Sequence, residues 1–238
     1  MKRDVIIACD FDSQKALIEF LDKFNDLPQK PFLKVGMELF YGAGPQIVKE
    51  IKRRGHKIFL DLKLHDIPQT VKKTMRVISQ LDVDLTNLHC GGGIAMMRAA
   101  LEGLTREDGT RPLLIGVTQL TSTSQEVLEK ELLISHPVAD VVAEYAKNAR
   151  IAGLDGVVCS PLEAAVVHKS LGTDFLTVTP GIRFADAQAD DQRRVTTPAV
   201  AREIGADFIV VGRPITQATD PVAAYERCVK EFCSCLPA

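Results

Sequence analysis

Short apolar runs alternate along the chain with longer stretches in which apolar residues recur every three or four positions. The short runs have the length and the β-branched content of buried strands, and the longer stretches have the spacing of helices with one apolar face. Eight strands are predicted, at VIIAC, FLKVG, KIFLDLK, VDLTNLH, LLIGVTQL, LDGVVCS, DFLTVTP and ADFIVVG. A helix is predicted after each strand, at residues 13–24, 44–54, 68–81, 93–104, 137–153, 161–172, 197–205 and 221–236.

This alternation predicts an α/β fold with a parallel sheet, because parallel strands need a crossover connection between them. Eight strand–helix units in 238 residues fit a closed (β/α)8 barrel, the TIM barrel, with eight parallel strands. A doubly wound open sheet is the alternative, but no G-x-G-x-x-G motif follows the first strand. No Ser-, Gly- or Pro-rich linker divides the sequence, so we expect a single barrel domain over residues 1–238.

Two irregular stretches interrupt the pattern, near residues 120–136 and 180–195. The first contains EVLEKELL, which predicts a short helix. Loops of this length inside a compact barrel are usually functional.

The composition excludes several classes of protein. Apolar residues make up 46% of the chain, and 29 basic residues balance 31 acidic ones for a net charge of −2. A chain with this charge balance lacks the excess of basic residues that is typical of proteins that bind nucleic acids or membrane surfaces. Asp10 ends the first apolar run too early for a signal-peptide core, and no stretch approaches the roughly 18 apolar residues of a membrane helix. We therefore expect a cytoplasmic protein without nucleic-acid or membrane partners.

Charged residues stand at the ends of the first three predicted strands. Asp10 follows the first, Lys34 lies in the second, Asp61 and Lys63 end the third, and Asp66 comes shortly after. Alternation along the third strand predicts that Asp61 and Lys63 share one face, about 6.6 Å apart at Cα. These strand ends form the mouth of a barrel, where active sites lie. Because a buried ion network is a weak stabiliser, the acids Asp61 and Asp66 together with the bases Lys34 and Lys63 indicate function there.

The run DLKLHDIPQT at 61–70 resembles the signature of orotidine 5′-monophosphate decarboxylases. Further segments resemble this family in order and spacing, namely VGMELF at 35–40, VTQLTSTS at 117–124, VTPGIR at 178–183, DQRRV at 191–195 and IVVGR at 209–213. The resemblance covers essentially the whole chain. Related phosphosugar aldolases and decarboxylases share D-x-K-x-x-D, but HDIP combined with the later segments is specific.

The resemblance implies decarboxylation of orotidine 5′-monophosphate to uridine 5′-monophosphate in pyrimidine biosynthesis. It assigns a catalytic network to Lys34, Asp61, Lys63 and Asp66, in which Lys63 protonates C6 of the pyrimidine as carbon dioxide leaves. It also implies a homodimer whose second subunit supplies Asp66 and Thr70, and no cofactor or metal. Physical reasoning agrees with the role of Lys63, since the electrons left on C6 have no adjacent carbonyl and need a preorganised cation.

The phosphate of the substrate has an expected place of its own. Barrels often bind phosphate with the loops after strands seven and eight, where Arg183, Gln192, Gly212 and Arg213 lie. Gly212 lets a backbone N–H approach an oxygen, and Arg213 offers a planar fork of donors. The resemblance assigns all four residues to the phosphate and makes the loop 184–195 a closing lid.

Three further residues match nucleotide-binding positions of the family. The resemblance assigns Asp10 and Lys34 to the ribose hydroxyls and Thr121 to a contact with the nucleotide. Among the histidines, His65 in the signature is expected to give structural support. His56, His136 and His168 are expected to be solvated, because they lie on predicted surface or loop segments.

Three other functions stay open. A magnesium-dependent phosphosugar decarboxylase or aldolase would need further acid ligands, for which Glu38 with Asp10 is the available pair. A barrel that only binds a phosphoribosyl ligand would not turn over orotate. A Schiff-base aldolase would use Lys34 or Lys63, although neighbouring acids favour the ammonium form over the amine that this chemistry needs.

Overall fold

The computed structural model describes residues 3–186 and 196–233 of the chain. The strands in this part are all parallel, pair in sequence order and close into a barrel. They are β1 Asp4–Ala8, β2 Phe32–Gly36, β3 Ile58–Leu64, β4 Leu85–His89, β5 Leu113–Val117, β6 Gly156–Val158, β7 Leu176–Thr179 and β8 Phe208–Val211. Each overlaps one predicted strand, so the (β/α)8 barrel is confirmed and the open sheet is excluded.

Helices follow the strands and cover the outside of the barrel. They are α1 Gln14–Asp22, α2 Met37–Ala43, α3 Gln46–Arg53, α4 Pro68–Ile78, α5 Gly93–Leu104, α6 Gln125–Lys130, α7 Val138–Ala152, α8 Pro161–Leu171, α9 Pro198–Glu203, α10 Arg213–Thr216 and α11 Pro221–Cys233. The predicted helices are confirmed, including the short one at α6. The sequence pattern missed α2 and α10, which are too short to show a helical period. Within the described ranges, no helix combines the length and apolar character needed to cross a bilayer.

The two-residue period of the strands divides the core into two layers. One layer lies inside the barrel and the other lies between strands and helices. Phe32 of β2, Phe59 of β3 and Leu85 of β4 belong to the inner layer. Because side chains two residues apart share a face, the residues that follow them inward are Lys34, Asp61 and Asn87. An apolar plug therefore lies beneath a polar layer at the C-terminal ends of the strands.

The third strand departs from regular geometry near its end. Leu60 pairs with Thr86 and Leu64 pairs with Leu88, so four residues of β3 span two residues of β4. Lys63 lies in this bulge with φ of +50°, in the left-handed region that most residues avoid. The predicted regular alternation thus ends at Asp61, although Lys63 still reaches the barrel mouth.

Two of the three histidines expected in solvent are buried or mostly buried. His56 is only 3% exposed, and its Nδ1 lies 2.8 Å from the carbonyl oxygen of Pro31. His168 lies 3.1 Å from the carboxylate of Asp207. His136 is exposed, as predicted. The prediction failed because both buried rings contact residues distant in sequence, which a local pattern does not reveal.

Candidate active site

Four charged side chains form a row across the C-terminal ends of β1, β2 and β3. Asp10 Oδ1 lies 2.8 Å from Lys34 Nζ, which lies 3.4 Å from Asp61 Oδ2. Asp61 Oδ1 accepts a hydrogen bond of 2.7 Å from Lys63 Nζ. The signs alternate along the row, so each inner group has an opposite charge on both sides. The structure thus brings together Asp10, Lys34, Asp61 and Lys63 of the predicted set.

Burial differs strongly along this row. The side chains of Lys34 and Asp61 are 11% and 9% exposed, against 27% for Lys63 and 62% for Asp10. Burial raises the pKa of Asp61, but the charges of Lys34 and Lys63 and hydrogen bonds from Lys63 and Asn87 hold it below its ordinary value. Burial lowers the pKa of Lys34, and the charges of Asp61 and Asp10 more than reverse that effect. Both inner groups therefore stay ionised at neutral pH.

Asn87 of β4 joins the row, although the sequence pattern did not identify it. Its Nδ2 donates a hydrogen bond of 2.7 Å to Asp61 Oδ1, and its Oδ1 accepts one of 2.8 Å from the backbone N–H of Lys63. The side chain is fully buried. One signal was available, because Asn87 lies two residues after inward-facing Leu85, as Asp61 lies two residues after Phe59.

Gly36 is a second functional position that the sequence analysis missed. A Cβ added there would lie 3.1 Å from Asp10 Oδ1 and 3.2 Å from Lys34 Nζ, so these two side chains would have to move by a few tenths of an ångström. The glycine therefore leaves the space in which the Asp10–Lys34 pair forms.

A cavity of about 180 Å³ adjoins the charged row. Lys34, Asp61 and Lys63 form its polar side together with Gln119 and Thr121. Its other walls are apolar and come from Phe59, Val117, Leu120, Val158, Val178, Pro180 and Val210. Charges beside such apolar walls interact more strongly than charges in water, because the local dielectric constant is lower.

Two predicted site residues lie away from this cavity. Asp66 and Thr70 are exposed, on the segment that links β3 to α4 and in the first turn of α4. The Asp66 carboxylate accepts a hydrogen bond of 2.7 Å from the backbone N–H of Ile67. Neither residue lines the cavity of its own chain.

The predicted phosphate-binding residues follow β7 and β8. Arg183 comes shortly after β7, where a bridge between Ile182 and Thr196 holds the two ends of the loop together. Gly212 directly follows β8, and Arg213 is the first residue of α10. Gln192 and most of the predicted lid lie outside the described residues.

The residues proposed for a metal site do not form a ligand cluster. Asp10 contacts Lys34, and Glu38 is exposed in the first turn of α2. Across residues 3–186 and 196–233, no group of three or more His, Cys, Asp or Glu side chains is arranged to hold a metal ion. The magnesium-dependent alternative therefore lacks a ligand set in this part of the chain.

His65 and His89 lie beside the site, with ring centroids 5.5 Å apart. Burial lowers the pKa of His89, and the charges of His65 and Lys63 lower it further. The neutral ring of His89 thus adds no positive charge next to Lys63.

Comparison with known proteins agrees with this geometry. Residues 3–228 match the family model described as orotidine 5′-phosphate decarboxylase / HUMPS family. The chain is 54% identical over 231 residues to the orotidine 5′-phosphate decarboxylase of Staphylococcus saprophyticus, covering 97% of this chain and 98% of that protein. It is 52% identical over 235 residues to the enzyme of that name from Geobacillus sp. strain WCH70, covering 98% of each.

A solved structure shows the same fold and a related sequence. The crystal structure of orotidine 5′-phosphate decarboxylase from Lactobacillus acidophilus matches with a TM-score of 0.87 and 46% identity, covering 98% of this chain and 100% of that one. The family match and the close relatives both extend over nearly the whole sequence. The chain therefore belongs to the orotidine 5′-phosphate decarboxylase / HUMPS family.

Proposed function

We propose that this chain is a carboxy-lyase that converts orotidine 5′-monophosphate to uridine 5′-monophosphate and carbon dioxide in pyrimidine biosynthesis, without a cofactor. The observation that carries the proposal is the alternating row that presents Lys63 Nζ, 2.7 Å from Asp61, at a largely apolar cavity. The close relatives named for this reaction support it. We include the whole chain, residues 1–238, in one barrel domain.

Lys63 is the proton donor in this proposal. The bond between C6 and the carboxylate breaks, its electron pair stays on C6, and carbon dioxide leaves. The Lys63 ammonium stabilises the developing negative charge and then transfers one proton to C6. The resulting amine regains a proton from solvent, which is possible because Lys63 is 27% exposed. One proton is consumed in each turnover, and no covalent intermediate forms.

Asp61 and Lys34 prepare this step. Asp61 holds the Lys63 ammonium by a direct hydrogen bond and lies where it would face the substrate carboxylate, which adds like-charge repulsion in the ground state. Lys34 balances the charge of Asp61 from the other side at 3.4 Å. The reacting ring therefore meets charges that are already in place before it binds.

The nucleotide spans the barrel mouth. The cavity of about 180 Å³ is smaller than the roughly 300–1,000 Å³ of whole ligand pockets, so we assign it to the pyrimidine ring. Asp10 and Lys34 bind the ribose hydroxyls, and Thr121 contacts the nucleotide beside the ring. The phosphate binds Arg183, Gln192, Gly212 and Arg213 after β7 and β8.

The second subunit of a homodimer completes the site. Asp66 and Thr70 are exposed and lie outside their own cavity, which is the arrangement expected of residues that serve a partner chain. The active enzyme is then a homodimer with two shared sites. We place it in the cytoplasm, since the five described cysteines are free thiols, which suits a reducing compartment.

A direct assay tests the reaction. Purified protein is incubated with orotidine 5′-monophosphate, and the loss of orotate absorbance is followed with and without EDTA. We expect turnover that EDTA leaves unchanged. Binding without a fall in absorbance would favour a binding barrel, and loss of turnover in EDTA would favour the metal-dependent alternative.

Complementation tests the shared site. Lys63→Ala and Asp66→Ala proteins are each nearly inactive, but hybrid dimers contain one site with both residues. Mixing them after reversible dissociation should restore about a quarter of the original activity, because half of the dimers are hybrids with one intact site of two. Absence of recovery in verified hybrid dimers would place Asp66 in its own chain's site.

A further inference from the structure

Asn87 bonds to both members of the Asp61–Lys63 pair through one side-chain amide. Its Nδ2 donates to Asp61 Oδ1 at 2.7 Å, the same oxygen that accepts from Lys63 Nζ. Its Oδ1 accepts from the Lys63 backbone N–H at 2.8 Å. A closed ring of hydrogen bonds therefore passes from the Lys63 backbone through Asn87 and Asp61 to the Lys63 ammonium.

Only one orientation of this amide satisfies both neighbours. An ionised carboxylate accepts hydrogen bonds but does not donate them, and a backbone N–H donates but does not accept. The amide must therefore direct its NH₂ group to Asp61 and its oxygen to Lys63. A residue with only an acceptor or only a donor at this point leaves one of the two groups without its bond.

The backbone conformation of Lys63 depends on such a bond. Lys63 has φ of +50°, and it lies in the bulge between the pairs Leu60–Thr86 and Leu64–Leu88. A left-handed conformation in a residue other than glycine persists only where its surroundings impose it. Here the side chain of Asn87 takes the Lys63 N–H in the middle of the bulge, where β3 and β4 are out of regular register.

Burial makes the arrangement rigid. Asn87 is 0% exposed, so water does not compete for either of its bonds. Hydrogen bonds in such a setting are stronger than those in water, and a polar group left unpaired there is unfavourable. The position of the ammonium group is therefore tied to β4 as well as to Asp61.

We propose that Asn87 is a positioning residue that holds the backbone of Lys63 and the carboxylate of Asp61 in one geometry, and so aims the Lys63 ammonium at the reacting carbon. This inference rests on the proposed function. Asn87 acts through Lys63 and Asp61 and transfers no proton. It is expected to affect the chemical step more than nucleotide binding, because the ribose and phosphate contacts lie elsewhere in the mouth.

The test compares Asn87→Ala with Thr86→Val. Thr86 is the neighbouring buried residue on β4, and its hydroxyl donates a hydrogen bond of 3.0 Å to the Leu60 carbonyl, so its loss also weakens the β3–β4 contact. For Asn87→Ala we expect kcat to fall on the order of 10²-fold with KM little changed, the loss typical of a misplaced reacting group. Thr86→Val should keep kcat while lowering Tm.

Asn87→Asp provides a second variant that keeps the shape of the side chain. The introduced carboxylate still accepts from the Lys63 N–H, but it faces Asp61 as a like charge, which favours uptake of a proton. A protonated carboxyl offers the same donor and acceptor as the amide. We therefore expect kcat to be low at neutral pH and to recover towards acid pH, relative to the unsubstituted enzyme.

Amide hydrogen exchange at Lys63 gives a readout independent of turnover. Exchange should be slow in the unsubstituted protein and in Thr86→Val, and fast in Asn87→Ala, which lacks the acceptor. Unchanged exchange and kcat in Asn87→Ala, or equal kcat losses in Asn87→Ala and Thr86→Val, would overturn the inference. Failure of the unsubstituted protein to decarboxylate the nucleotide would overturn the proposed function instead, and the exchange data would still show whether Asn87 fixes Lys63.

Discussion

The two ends of the barrel both place aspartates beside strands, but they use them differently. At the N-terminal end, Asp84, Asp155 and Asp207 directly precede β4, β6 and β8. Each carboxylate accepts a hydrogen bond from a backbone N–H of the preceding strand, those of Ile58, Leu114 and Thr177, at 2.8, 2.7 and 2.8 Å. Each also contacts a base, namely Lys52 at 3.1 Å, Arg111 at 2.8 Å and His168 at 3.1 Å.

At the C-terminal end, the described bonds of Asp61 come from side chains. Lys34, Lys63 and Asn87 surround its carboxylate, and Lys63 faces the cavity. The aspartates of the N-terminal end join neighbouring strands, whereas Asp10 and Asp61 at the C-terminal end pair with Lys34 and Lys63, the lysines of the proposed active site. This contrast follows the general division of (β/α)8 barrels, in which one end supports stability and the other carries catalysis. The predictions below test that division.

Lys63→Ala should have the largest effect on activity. In the proposed mechanism it removes both the proton donor and the cation nearest C6, so we expect kcat to fall by at least about 10⁴-fold. Tm should change little, because Asp61 keeps Lys34 and Asn87 as partners. Turnover and thermal unfolding measure the two quantities.

Lys52→Ala is the matched control for this variant. Lys52 also pairs with an aspartate, and its side chain is 26% exposed against 27% for Lys63. Its loss should lower Tm and leave kcat unchanged. If both lysine variants reduced kcat to the same degree, the two ends would not be functionally distinct.

Asp155→Ala should lower stability and leave activity unchanged, the opposite of the result expected for Lys63→Ala. It deprives Arg111 of a two-point ion pair and the Leu114 N–H of its acceptor, so we expect a loss of about 2–4 kcal/mol in unfolding free energy. For a chain of this size that corresponds to a Tm decrease of roughly 4–16 °C. The folded fraction should keep the original kcat.

Asp174→Ala serves as the comparison for Asp155→Ala. Asp174 pairs with Arg150 at 2.7 Å, but its side chain is 70% exposed, and exposed pairs stabilise little. The Tm of Asp174→Ala should therefore stay close to that of the unsubstituted protein. Equal Tm values for the two variants would show that Asp155 has no special role in joining the strands.

The fold and the charged row could both be predicted because each depends on the spacing of residues within single strands and helices. Strand alternation is a short-range property, so it predicted that Asp61 and Lys63 share the face that leads to the barrel mouth. Alternation from Leu85 could have marked Asn87 as inward-facing, but it does not reveal the contact between Asn87 and Lys63, 24 positions apart in sequence, or the left-handed backbone of Lys63. Contacts of this kind depend on how strands align with each other, and no local period encodes that alignment.

The resemblance to a family supplied what the residues alone left open. Periodicity and charge identified a polar barrel mouth, and the general rule for barrels placed a phosphate after the seventh and eighth strands. The role of Thr121 came only from the resemblance, which also assigned the four phosphate-binding residues. Neither the sequence pattern nor the resemblance identified the three aspartates of the N-terminal end. Their shared position before β4, β6 and β8 becomes visible only when the strands are paired, because the spacing between them is irregular in sequence.

The smallest expected effect concerns pH and the N-terminal end, where His56 lies just before β3. Burial lowers the pKa of His56, the hydrogen bond to the Pro31 carbonyl opposes this, and the charges of Lys30 and Arg54 lower the pKa further. The unfolded chain therefore takes up a proton near pH 6.5 that the folded chain still excludes. Since the unfolded state then binds more protons, this residue makes stability fall as pH decreases through about 6.5.

His56→Gln should reduce that acid sensitivity, because the amide can still donate to the Pro31 carbonyl but does not titrate. The measured quantity is the decrease in Tm between pH 7.5 and pH 5, which we expect to be smaller in the variant, whatever its Tm at pH 7.5. His136→Gln, at an exposed position, is the control and should leave the decrease unchanged. Parallel Tm curves for His56→Gln and the unsubstituted protein would mean that His56 takes up its proton equally in both states, and that acid stability is determined elsewhere in the barrel.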